Sequence, residues 1–343
     1  MWSENDKKQL WIFGVITLGI PLLLLLPYLG FGSDPNVTLF SHVVVLLPAF
    51  ASVVCNWAVK GAEPIPKRFY AFFSLIVLIT AGFYFAELFT STPLEDSIYF
   101  PFIECTLAVI ALLILAFEPR NAKVKYGLSF SAGKGSTNGC VIALFILLYF
   151  VRLIPGYADL EYTEAFAAQL DQKALYLLYL PFLFFVAYLP FWGEEYGWRY
   201  CLQPLLQKKF GYWIGTLING FVWGLWHIPM LIFSHASDNV FYAGLRQIAF
   251  CICLSFFLAF AKEVTNNIWL LAFLHYLNNQ FAVFVSLDPS SVGKINATGF
   301  LDALSIFIYN AIYILPFLVY RLYLWKKAKK APANYSTRVL GGS

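Results

Sequence analysis

The chain has 343 residues, of which 60% are hydrophobic, 19% aromatic and 12% charged, and its mean hydropathy is +0.69. A water-soluble domain of this length cannot hide that much apolar surface, so the composition excludes a soluble enzyme and specifies a polytopic membrane protein. The net charge of +4 comes from basic residues near span ends, where lipid headgroups account for them and no nucleic-acid partner is needed.

About ten apolar runs are long enough to cross a bilayer as helices, since roughly 20 residues at 1.5 Å rise span the hydrocarbon. In chain order they lie near Trp11 to Gly30, Val37 to Val59, Phe69 to Thr90, Ser97 to Phe117 and Cys140 to Ile154, then Ala174 to Gly193, Tyr212 to Phe233, Val240 to Ala261, Ile268 to Leu287 and Phe300 to Trp325. The first follows Lys7 and Lys8, but it is too long for a secretory signal and no small-x-small cleavage site follows it.

Loop charge sets the expected orientation. Lys7 and Lys8, then Lys60, Lys67 and Arg68, then Arg120, Lys123, Lys125 and Lys134 fall on alternate connections, whereas Phe31 to Asn36 and Ser91 to Asp96 carry no basic residue. Arg199, Lys208, Lys209, Lys262 and the tail continue that side, giving roughly nineteen basic residues against about three under the positive-inside rule. The expected fold class is therefore all-α, a polytopic transmembrane bundle of about ten spans with both termini cytoplasmic. Cys55, Cys105, Cys140, Cys201, Cys251 and Cys253 lie in or beside spans without the spacing of a zinc knuckle or disulfide framework, and read as small buried hydrophobes.

The basic connection from Glu118 to Asn138 divides the chain. Residues 1–137 form about four accessory spans with few polar groups inside them, chiefly His42, Glu87 and Glu104. Residues 138–330 form a core whose motifs fall within 174–287, and residues 331–343 form a cytoplasmic tail. The acidic connection Tyr157 to Lys173 is expected on the extracytoplasmic side, with a short surface helix. No internal repeat relates the halves, which counts against a transporter built from inverted repeats.

Three polar constellations interrupt the core spans, and intramembrane ionisable residues mark functional sites because their burial must be compensated. Glu194-Glu195-x-x-x-Arg199 ends the sixth span; on a helix Glu195 and Arg199 are i,i+4 partners, for which a capping salt bridge suffices. Glu194 lies about 100° around the helix and needs a partner elsewhere. Trp223-x-x-x-His227 lies inside the seventh span, where the indole can restrain the imidazole; a hydrogen-bonded core histidine is the plainer account. His275-x-x-x-Asn279 shares one face of the ninth span, an arrangement that interhelical hydrogen bonding alone would explain. Together, a carboxylate, two imidazoles and a carboxamide on three spans supply what amide hydrolysis needs: a base for water, donors for the oxyanion and a proton for the leaving amine.

This combination resembles the CPBP family of intramembrane endopeptidases, also called the CAAX-processing or Abi family, whose signature is Glu-Glu-x-x-x-Arg, aromatic-x-x-x-His and His-x-x-x-Asn or Asp on successive membrane helices. The resemblance covers roughly Ala174 to Leu287. Trp223 stands for the more usual Phe, and Tyr200 follows Arg199 where many members carry Gly, so Tyr200 is expected to narrow the approach to the site. The resemblance implies that Glu194 with His227 activates water, that His275 and Asn279 form the oxyanion site, and that Glu195, Arg199 and Trp223 support them.

The expected function is hydrolysis of a peptide bond in a membrane-associated peptide or protein, in a bacterial-type plasma membrane, from a cavity open to the cytoplasmic side. Membrane lipids and that substrate are the expected partners. No cofactor is expected; the alternative is zinc on Glu194, His227 and His275, although the spacing is not His-Glu-x-x-His. A buried glutamate serves as base without a Lewis acid. The competing classes are a non-catalytic polytopic scaffold and a transporter using Glu87, Glu104, Asn219 and Arg246.

Overall fold

The computed structural model describes residues 2–26, 37–58, 64–89, 99–157, 160–233, 239–288 and 299–330, and the expected tail, 331–343, lies outside them. Among the described residues there is no strand. Nine helical stretches are long and apolar enough to cross a membrane, and Phe100–Ala116 is a shorter apolar helix. The expected all-α bundle is the observed one.

Four helices precede the basic connection: α1 (Glu4–Leu24), α2 (Val37–Ala58), α3 (Lys67–Glu87) and α4 (Tyr99–Ala116). Ser3 starts α1 with a capping box, its hydroxyl accepting from Asp6 N while its own N–H donates to the Asp6 carboxylate. The connection carries α5 (Arg120–Lys125) and leads into α6 (Gly135–Tyr157). The expected surface helix follows as α7 (Leu160–Ala167), before α8 (Leu170–Ala187).

The sixth and seventh spans depart from expectation. Instead of a span ending at Gly193 and a loop to Gly211, the chain breaks at Tyr188 before Pro190, then runs as α9 (Leu189–Glu195) through a π-helical segment Tyr196–Leu202 into α10 (Gln203–Trp226). Proline lacks the N–H that would continue α8 and clashes with the preceding turn. Phe184 before the break and Phe191 after it both pack on Tyr276, at ring distances of 5.4 and 5.3 Å. The hairpin comes at Gly211, whose φ of 78° belongs to the left-handed region. A second break falls at His227, between α10 and α11 (Ile228–Phe233), where Pro229 again cannot continue the helix. The charges of α9 stay inside the bundle because partners on other helices meet them there.

The remaining helices are α12 (Val240–Thr265), α13 (Ile268–Val285), α14 (Phe300–Asn310) and α15 (Leu315–Lys330). Only Asn266 and Asn267 join α12 to α13: Asn266 takes the left-handed conformation that ends α12, and the Asn267 side chain accepts from Trp269 N and Leu270 N to start α13. The central helices are α2 and α13, with 67% and 72% of their span windows buried, whereas α8 is 17% buried and turns Leu178 and Phe182 outward. Outward apolar side chains are what a bilayer requires.

Contacts sort the helix ends into two faces. At one, Lys208 pairs with Asp6 at 2.6 Å, Lys8 donates to Ala58 O, Glu118 accepts from Phe69 N, and Asn267 donates to Ala132 O. At the other, Lys173 donates to Phe284 O and Ser286 O, and Tyr162 donates to Val285 O. The first face collects the basic connections.

Candidate active site

Close helix approach builds the site. Gly193 and Gly197 turn a small-x-x-x-small face toward α2; a Cβ at Gly193 would lie 2.7 Å from Val45 O, and one at Gly197 would lie 2.2 Å from Pro48 Cβ. Gly220 and Gly224 repeat the pattern against α12, at 2.7 Å from Ile252 Cα and 2.5 Å from Ile248 Cα. Such faces let backbones touch in membranes, where apolar side chains gain little by leaving lipid. The π segment widens the helix that carries Arg199, and its carbonyls find outside donors: Ser52 to Tyr196 O and Lys262 to Arg199 O. Single-turn π segments recur at functional sites.

Glu195 and Arg199 are fully buried and pair as expected, Arg199 Nε donating to Glu195 Oε2 at 2.8 Å. Arg199 Nη1 also donates to Ser255 Oγ at 2.9 Å and to the Asn219 amide oxygen at 2.6 Å, while the Asn219 nitrogen donates to Trp198 O at 3.2 Å. The guanidinium lies 4.7 Å from the Trp223 ring centroid. Asn219, read from sequence as a transport-pathway residue, is thus a partner of this buried charge.

Glu194 finds the partner it needs on α10: Trp223 Nε1 donates to Glu194 Oε2 at 2.7 Å. The same tryptophan restrains His227, through its carbonyl, which lies 2.8 Å from His227 Nδ1, and through its ring, 5.8 Å away. A carbonyl only accepts, so His227 carries its proton on Nδ1 and leaves Nε2 as an acceptor. His275 Nδ1 stands 3.0 Å from Glu195 Oε1, an ion-pair contact rather than an aligned hydrogen bond, and its ring packs against Phe191 and Trp223, each 5.4 Å away.

Glu194, Trp223, His227, His275, Asn278 and Asn279 all line one cavity of about 470 Å³. Asn278, absent from the sequence reading, donates to Asn279 Oδ1 at 3.1 Å, which leaves the Asn279 amide hydrogens for another acceptor. Its position between two motif residues gave no signal. Cys251, read from the sequence only as a small hydrophobe, also adjoins the site, buried with its sulfur 3.9 Å from His227 Nδ1; of the other cysteines, Cys140 is exposed and Cys105 partly so, unlike the buried set expected. Tyr200 does not narrow the site. It stacks on Tyr196 at 4.6 Å and lies against Gly127, away from the cavity. Among the described residues no three His, Cys, Asp or Glu side chains form a metal-binding group.

The outer wall of the cavity is made by Arg152, Arg246, Ala282, Ile306 and Asn310. These lie toward the C-terminal ends of α6 and α13, toward the N-terminal end of α12 and in the first half of the last span, Phe300–Lys329, which is the side of Lys173 and Val285. Expectation put the basic connections and the opening on one face; the cavity instead occupies the half of the bundle away from the basic face. The reason is that the chain runs on from Arg199 through the π segment and the start of α10, placing Lys208 and Lys209 at the hairpin at Gly211.

Fold and site together define an integral membrane protein with a buried Glu/His centre contributed by three helices. Residues 176–281 match the family described as type II CAAX prenyl endopeptidase Rce1-like, and the chain carries that domain, as the motifs anticipated. Over that segment the chain is similar, at the level of the family, to CAAX-protease-like intramembrane endopeptidases. No curated protein matches the chain, and no solved structure does.

Proposed function

We propose that the chain hydrolyses a peptide bond in a membrane-associated peptide or protein, using water activated by Glu194 and His227 without an obligatory metal. The observation that carries this reading is the convergence of Glu194, His227, His275 and Asn279 on one cavity within the Rce1-like segment. Trp223 holds one oxygen of Glu194, and the other takes a proton from water while His227 Nε2 accepts that water's second hydrogen. Hydroxide adds to the scissile carbonyl, and the oxyanion receives hydrogen bonds from His275 and Asn279. His275 donates from Nε2, and where Nδ1 is protonated as well the resulting charge is compensated by the Glu195 carboxylate at 3.0 Å. Glu194 then returns its proton to the leaving amine as the C–N bond breaks, giving a carboxylic acid and an amine.

The positive-inside rule assigns the basic face to the cytoplasm, so on this reading both termini are cytoplasmic and the cavity opens on the extracytoplasmic side of the membrane. Substrate then reaches it from the outer leaflet or from outside the cell.

The test is proteomics of peptide termini in membranes of cells expressing wild type or Glu194→Gln, with purified enzyme treated with chelator as a second arm. A product found only with wild type, and still formed in chelator, is the expected result. Identical termini in the two strains, with the variant supporting the same phenotype, would move the assignment to a scaffold.

A further inference from the structure

Arg152 is a charged cavity residue to which the mechanism above gives no task. It lies on α6 and lines the same cavity as Glu194 and His227. Its Nη1 donates to Asn310 Oδ1 at 2.6 Å, and its guanidinium carbon lies 4.2 Å from the Tyr149 ring centroid and 5.5 Å from that of Tyr313. Asn310 is buried and its own nitrogen donates to Ile306 O, which fixes the amide with its oxygen toward the arginine. Arg152 Nε is buried without a partner, and among the described residues no carboxylate pairs with this cation. Arg246 lines the same stretch of wall.

A guanidinium at membrane depth is costly unless an anion meets it. Here the neutral amide and the aromatic rings orient the fork without cancelling its charge, and the remaining donors border a cavity that ends at the proposed catalytic groups. Arginine is suited to a carboxylate, which it can engage through two parallel hydrogen bonds.

We propose that Arg152, oriented by Asn310, is a substrate-binding residue that recognises a carboxylate on the peptide substrate and so sets where the chain lies across Glu194. This rests on the peptidase reading and adds the charge its substrate carries. The carboxylate comes either from the end of the peptide or from an acidic side chain, and the two sources are separable.

The test uses the full chain with Glu194→Gln, in nanodiscs of zwitterionic phosphatidylcholine. Fluorescein-labelled pools of apolar hexapeptides would be titrated by anisotropy, ending in a free carboxylate, in a carboxamide, or in a carboxamide with one internal Glu. At least one carboxylate-bearing pool should bind about tenfold tighter than the neutral pool, and which pool gains names the source. Arg152→Gln should remove that preference while leaving the neutral pool's affinity unchanged, and Arg152→Lys should restore part of it. Equal binding of charged and neutral pools, or a preference that survives Arg152→Gln, would overturn the subsite and leave the peptidase reading standing. A preference abolished by phosphatidylglycerol in the nanodisc would assign Arg152 to lipid. Absence of binding by every pool would remove the subsite and the peptidase reading together.

Discussion

Trp223 does more at this site than its motif position suggests. Its indole N–H holds Glu194, its carbonyl sets the proton position on His227, and its ring packs against His275. Trp223→Phe keeps a ring and the carbonyl and loses only the N–H. A hydrogen bond to a charged group contributes roughly 1.5–3 kcal/mol, so kcat should fall about 10- to 100-fold. KM and the unfolding temperature should stay near wild type, measured on whichever substrate the termini experiment identifies. A purely structural tryptophan would instead lower the unfolding temperature. Sequence periodicity placed the i,i+4 pair of Glu195 and Arg199 and left Glu194 needing a partner. It could not name Trp223, because that contact joins residues 29 positions apart on two helices.

At the scale of elements, the small-residue faces of α9 and α10 decide whether these groups meet. Gly197→Ala places a methyl 2.2 Å from Pro48 Cβ, where a rigid ring on α2 cannot yield. That substitution should lower the unfolding temperature in detergent and reduce activity. Gly139→Ala, on α6 with nothing within 4 Å of its Cβ position, should be neutral or stabilising by up to about 1 kcal/mol, as alanine is the better helix former. Equal effects from the two substitutions would remove the close-approach argument. The helix breaks at Tyr188 and His227 were legible only in part. Pro190 and Pro229 mark them in the sequence, yet continuous hydrophobicity draws single spans through both.

For the whole molecule, the proposed peptidase reading and the separation of the cavity from the basic face together give the side from which substrate would enter. In a cysteine-free background, Lys208→Cys should react with a membrane-impermeant maleimide only after the cells are opened, and Asp288→Cys should react in intact cells. The reverse pattern would invert the orientation and return the cavity to the cytoplasm. The accessory helices also belong to this scale. Residues 1–137 lie outside the Rce1-like match, yet Ser52 and Asn56 of α2 and Tyr70 of α3 bond to Tyr196 beside the site.

By itself the sequence determined the class and the cast. Its apolar content demands a membrane, its loop charges order the faces, and three charged or amide motifs inside apolar spans could persist only as a compensated site. Those properties are carried by composition and short spacing, which folding does not alter. Only the tertiary structure decided which group holds Glu194, that the chain doubles back at Gly211 rather than leaving the bundle at Glu194, that Arg152 shares the cavity of Glu194 and His227, and that this cavity lies away from the basic face. Each depends on contacts between helices distant in the chain, and such contacts are set by how closely backbones can approach, which no local pattern records.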